Sequence, residues 1–344
     1  MEVFVVIKVL SFNRLSAFVS WAAKDRFLIG TSILRIVFGI IILYNYLMHY
    51  FQRYLLFSDV GITDYDPAIF SLYNFSASLL YFDIVYHLGI LVTILFILGY
   101  RGRVVSILTF VFYFSLYQRI GYIGDGGDNL MRIILFFMMF TNNTAHFSLD
   151  RRRKKRRRFP KKTFGKLLNS TIHNYAVAAC VIQLCLVYYI SAFYQVMGEK
   201  WNSGTALYYI SQVESYSLPL FSAISENHLY LSIILTYATI VIKLAFPLLI
   251  FNRITKIISV LAMCAFHLGI LFGMGLLTFS LIMISVEFLL FTDREYKQYY
   301  CKIRSLIKAF TGGIKNRWHQ LGAKKAFSAN PYTESSRSIV REKQ

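Results

Sequence analysis

The chain has 344 residues, of which 56% are hydrophobic and 16% charged; soluble globular proteins carry about 25% charged residues. That composition excludes a water-soluble fold and a disordered chain, and four cysteines exclude a disulfide scaffold. The formal charge of +20, from 37 Lys and Arg against 17 Asp and Glu, points either to nucleic acid or to the positive side of a membrane.

The first ten residues, MEVFVVIKVL, are apolar but lack a basic leader and a small-residue cleavage site, so they read as retained. Apolar segments follow in chain order. The first runs from Phe27 to Tyr50, the second from Tyr81 to Leu98, and the third from Val104 to Tyr117. The fourth follows Asp128 and Asn129 and reads LMRIILFFMMF. The fifth runs from Ile172 to Met197 and the sixth from Leu229 to Phe251. The last block, Ile257 to Phe291, is too long for one span and breaks at GMG, Gly273–Gly275, into a hairpin. Segments three and four are short for a hydrocarbon core that needs about 20 helical residues.

The expected fold is an all-α polytopic membrane protein of about eight transmembrane helices, the last two a hairpin. With the N-terminus inside, 31 of the 37 cations fall on the cytoplasmic side. The densest cluster is Arg151–Arg158, RRRKKRRR, read as a topological anchor ahead of segment five, the alternative being a site for anionic lipid head groups or nucleic acid. The acids gather opposite: Asp59, Asp64, Asp66, Asp125, Asp128, Glu199, Glu214 and Glu226. Charge therefore assigns a bilayer partner and no nucleic acid. Three parts are expected: residues 1–26 at the inner surface, the membrane domain 27–291, and a basic tail 292–344 whose end, NPYTESSRSIVREKQ, reads as disordered.

Titratable groups inside spans are costly and mark candidate sites. Arg35 lies eight residues past Phe27, about 12 Å into its helix. With Lys243 and Glu287 it is read as a buried charge cluster in the inner half. The outer half holds Asp83, His87, Arg132 and His267, joined by the loops GYIGDGGDNLMR and GEKWNSGTALYY. Candidate catalytic residues are His267, Asp128 and Asp125; candidate substrate-binding residues are Arg132, Trp201, Asp83 and His87. Taken alone, Asp128 or Asn129 fits a helix N-cap, and Trp201 an interfacial anchor. No dinucleotide fingerprint, P-loop or zinc-protease motif is present, and no metal or cofactor is expected.

Four stretches in order carry a resemblance: LRIVFG, GDGGDNLMRIILFF, EKWNSGTALYY and FHLGILFGMGLLTFSLIMI. They resemble the HTTM domain, the membrane domain shared with vitamin K-dependent gamma-carboxylase. The GDGGDNL and WNSGTALYY forms are most similar to the bacterial SdpB branch, of the sporulation-delaying-protein or antimicrobial-peptide type. The charge distribution places both termini in the cytoplasm; the resemblance implies a bacterial inner-membrane protein. It would mature or export a secreted antimicrobial peptide, with the peptide precursor and a small SdpA-like protein as partners. In the carboxylases a lysine shortly before the matching Trp is the catalytic base. Here that position falls at about Val196, beside Gln195, while Lys200 adjoins Trp201. Carboxylation is therefore not expected, although His267 matches a histidine of that branch. A quinone-linked membrane enzyme and a small-solute or peptide transporter are the alternatives.

Overall fold

The computed structural model describes residues 22–62, 65–119, 123–156 and 164–308. The N-terminal apolar decapeptide, Asp64, the end of the basic run and the final fifteen residues lie outside the described residues. The described chain is helical, with no strand among the described residues. The helices are α1 Leu28–Met48, α2 Arg53–Phe57, α3 Leu79–Leu98, α4 Gly102–Tyr117, α5 Gly126–Met138, α6 Leu149–Arg156 and α7 Phe164–Met197. Then come α8 Glu199–Asn202, α9 Ala206–Ser211, α10 Pro219–Asn227, α11 Leu229–Leu249, α12 Arg253–Met274 and α13 Leu277–Glu287. Two compact units divide the chain, Met1–Asp293 and Arg294–Gln344. The second is helical over its described residues, 294–308.

Each of the eight apolar segments forms a helix, but they are not equal. Helices α1, α3, α7, α11 and α12 have 20 to 34 residues and are long and apolar enough to cross a membrane. Helices α4, α5 and α13 have 16, 13 and 11 residues. The shortest of these is central: α13 packs on α1, α5, α7 and α12. Its Ser280, Ile282, Met283, Val286 and Glu287 are buried. The break before it falls where GMG predicted: α12 ends at Met274, and Gly275 takes φ +73°, the left-handed conformation that glycine accepts without a Cβ clash.

Outward faces carry large apolar side chains, among them Leu47, Leu80, Leu91, Ile182, Ile234, Leu248 and Leu261. A surface of that kind is tolerated against lipid and not against water. Inside, serine and threonine hydroxyls return to their own helices. Thr93, Ser106, Thr109 and Thr236 each donate to the carbonyl four residues back at 2.6–2.8 Å. This satisfies each hydroxyl without an outside partner.

Acids remote in sequence close the helix starts. Asp293 accepts from the backbone N–H of Leu28 and Ile29 at 3.2 and 2.7 Å. Asp150 accepts from Arg101 and Gly102 at 3.0 and 2.8 Å. A carboxylate there meets N–H groups that have no intrahelical acceptor, at the positive end of the helix dipole.

Candidate functional site

One end of the bundle gathers the C-terminal turn of α1, the start of α5 and the α12–α13 turn around a cavity of about 310 Å³. Its polar lining includes Asn45, His49, Asp125 and Asp128, with Gly275–Thr278 along one side. Local chemistry explains how the two acids are held. Asp125 is the N-cap of α5: its Oδ1 accepts from Gly127 N at 2.7 Å and Asp128 N at 3.1 Å. Asp128, three residues on, returns the bond by accepting from Asp125 N at 3.1 Å. Its other oxygen accepts from the buried Tyr113 hydroxyl at 3.0 Å. The cap expected at Asp128 or Asn129 is thus Asp125, and Asp128 completes a reciprocal box.

His49 and Asn45 were not singled out in the sequence. The signal was present: two polar residues four apart at the end of an otherwise apolar helix share one face. His49 Nδ1 lies 2.9 Å from the Asn45 carbonyl.

The wall beside the cavity is tied down by Arg119, whose side chain is fully buried. Its guanidinium donates to Asp59 Oδ1 at 2.6 Å and to Asn74 Oδ1 at 2.7 Å, and lies 3.5 Å from the centre of the Tyr65 ring. It also reaches the carbonyl of Phe57, a cavity-lining residue, at 3.4 Å. Burial pushes the Asp59 carboxyl up, but hydrogen bonds from Tyr65 and Arg119 outweigh it and hold the group below its ordinary range. A depressed carboxyl stabilises the fold above the unfolded value and loses that contribution as pH falls through the folded value. Asp59→Asn is therefore expected to cost about 0.5–1 kcal/mol at neutral pH, because solvent screens the exposed carboxylate. The cost should begin to shrink as pH falls below about 4, the value of an unperturbed carboxyl, and vanish only under the lower value of the folded protein. Thermal melts of both proteins from pH 7 to pH 3 check this; equal melting temperatures at pH 7 would count against it.

The other predicted outer residues lie elsewhere. Asp83 pairs with Arg53 at 2.8 Å and accepts from Tyr54, while His87 Nε2 sits 3.0 Å from the Tyr50 hydroxyl. Arg132 donates to Asn129 at 2.7 Å and stacks 4.5 Å from the Tyr117 ring centre. Trp201 lies in the short α8, and its neighbour Lys200 sits 4.0 Å from the Tyr209 ring centre. None of these residues lines the cavity.

The buried ionisable groups divide differently from their expected depths. Arg35, fully buried, does not turn toward Glu287. Its Nε donates to the Asn143 carbonyl at 3.0 Å, and Nη2 to the Phe147 carbonyl at 2.7 Å. Nη1 donates to the carbonyls of Phe96 and Ile97 in the last turn of α3. Glu287 instead accepts from the Tyr188 hydroxyl at 2.7 Å and the Cys264 thiol at 3.3 Å. His267 Nε2 lies 3.1 Å from that same hydroxyl, so His267 and Glu287, assigned by sequence to opposite halves, share one level. His267 Nδ1 is buried without a hydrogen-bond partner among the described residues. Lys243 Nζ reaches Ser191 Oγ at 3.3 Å, one turn along α7 from Tyr188. Phe279 separates this interior from the cavity end. Its ring centre is 5.7 Å from that of His267, and its Cα is so close to Gly127 that a Cβ there would approach it to 3.0 Å.

Among the described residues no group of three or more His, Cys, Asp or Glu side chains could hold a metal ion. No solved structure matches the chain. The chain is similar to the uncharacterized protein YitO of Bacillus subtilis (strain 168), with 24% identity over 226 residues, covering 63% of this chain and 70% of that one. The model of the HTTM domain matches residues 29–296, helix α1 through the end of the bundle. With five helices able to cross a membrane and most of its length matched, the chain belongs to the HTTM-domain family of membrane proteins.

Proposed function

We propose that the protein matures or exports a secreted, membrane-active antimicrobial peptide at the extracytoplasmic face of a bacterial cell membrane. In this reading both termini are cytoplasmic and all eight apolar helices lie in the membrane, the three short ones shielded by the longer. The carrying observation is the cavity end: Asp125 and Asp128, from the stretch that resembles the SdpB branch, line one cavity with His49 and Asn45. Acceptors held rigidly at a helix N-terminus suit the backbone amides or a cationic side chain of an extended precursor. In the same reading Arg132, Trp201 and His267 act from outside the cavity lining, and a small SdpA-like protein assists. Gamma-carboxylation is not proposed, because Val196 occupies the position of the base and Lys200 is stacked on Tyr209.

The test starts with deletion of the chain in a producing strain, with the secreted peptide followed by mass spectrometry. Undiminished mature peptide would end this reading. Asp128→Asn keeps the capping geometry and removes the charge. It is expected to lower mature peptide about tenfold, the effect of one lost charged contact, at an unchanged amount of membrane protein. Normal output from Asp128→Asn and Asp125→Asn together would remove the cavity from the function.

A further inference from the structure

The opposite end of the bundle holds a second cavity, of about 490 Å³. Helix α7 brings Lys166, Asn169 and Ser170 to it, spaced three and four residues apart and so on one face. The segment before α6 adds Asn142, Thr144 and Ala145, α6 itself adds Arg151, and the start of α1 adds Leu28. Arg151 is steadied by His146 Nδ1 at 3.0 Å. Asn169 Nδ2 donates to Asn142 Oδ1 at 2.8 Å, which fixes both amides. The lining has one acid, Asp25, whose Oδ1 already accepts from Ser170 Oγ at 2.5 Å. Two cations against one engaged carboxylate leave an excess of one positive charge, ringed by amide and hydroxyl donors. One phosphodiester anion balances that charge and can accept from the two cations.

We propose that this cavity binds a phosphate anion, with the headgroup of an anionic phospholipid such as phosphatidylglycerol as its source. Arg151 and Lys166 contact the phosphate, the amides of Asn142 and Asn169 border it, and Asp25 accepts from a headgroup hydroxyl. The cavity adjoins the membrane end of α1 through Leu28, so acyl chains continue along the apolar outer surface. The basic run that begins at Arg151 then does more than set topology: its first residue belongs to a defined pocket, and the next two do not line it.

The experiment uses the full chain in nanodiscs of phosphatidylcholine, of phosphatidylcholine with phosphatidylglycerol, and of phosphatidylcholine with millimolar inorganic phosphate in the buffer. Phosphatidylglycerol is expected to raise the melting temperature by about 5 °C. A rise with phosphatidylglycerol alone identifies the lipid as the source; an equal rise with inorganic phosphate identifies the free anion. The double variant Arg151→Gln, Lys166→Gln should lose the rise. Arg152→Gln with Arg153→Gln removes the same charge outside the cavity and should keep it. Both lining cations are exposed, and either single variant substitutes should the double one not fold. No rise in the wild type with either additive overturns the proposal. So does an undiminished rise in the lining variant, or an equal loss in the control variant, which would mean diffuse attraction to anionic lipid.

Discussion

Replacing Arg35 by leucine is expected to remove most of the protein from the folded, detergent-extractable fraction. The side chain is fully buried, and its four hydrogen-bond acceptors are backbone carbonyls from α3 and from the segment between α5 and α6. Two of those carbonyls, of Phe96 and Ile97, lie in the last turn of α3, where the dipole is negative and intrahelical donors run out; Phe96 O also accepts from Gly99 N at 3.0 Å. A buried cation is held there without a carboxylate bonded to it, by groups that need a donor themselves. Leucine would take a donor from all four carbonyls, at about 1 kcal/mol each, a total loss of about 4 kcal/mol. That is a large part of the net stability of an ordinary domain. Arg35→Lys keeps the charge but not the planar fork, so it cannot reach all four carbonyls at once, and an intermediate loss is expected. Fluorescence-detected size exclusion and thermal melts of the three proteins make the measurement. A leucine variant that melts with the wild type would refute this role.

Glu287 is the second position where a large effect is expected. It joins α13 to α7 and α12 by accepting from Tyr188 and Cys264, and it is fully buried. Glu287→Ala leaves both donors unsatisfied and opens a cavity in the most enclosed helix, at a cost of about 3–4 kcal/mol. Glu287→Gln keeps an oxygen for the Tyr188 hydroxyl at nearly the same volume, and is expected to stay within about 1–1.5 kcal/mol of the wild type. The pair separates packing from chemistry. If Glu287 organises the bundle, the glutamine variant folds and still supports peptide production. A glutamine variant that folds normally but yields no mature peptide would assign Glu287 a chemical role instead.

The helices were legible in the sequence because lipid imposes a length and a polarity that single segments must meet alone. The apolar runs and the Gly275 break each became a helix or a helix end. The cavity acids were legible too, since GDGGDN combines turn glycines with cap-forming residues. Depth was not legible. Counting residues from a helix end placed His267 and Glu287 apart, yet long side chains from α12 and α13 meet on one tyrosine of α7. Nor did charge pairing follow from composition: Arg35 chose carbonyls over Glu287 because the exposed end of α3 lies within its reach. The scarce acids Asp150 and Asp293 went to helix starts far away in sequence. The sequence by itself therefore determined the elements and the apolar faces, because each depends on a local window. Only the tertiary structure decided which polar group satisfies which. In a medium without water a buried donor or acceptor left without a partner is costly, and which partner each one finds depends on which helix ends the packing brings together.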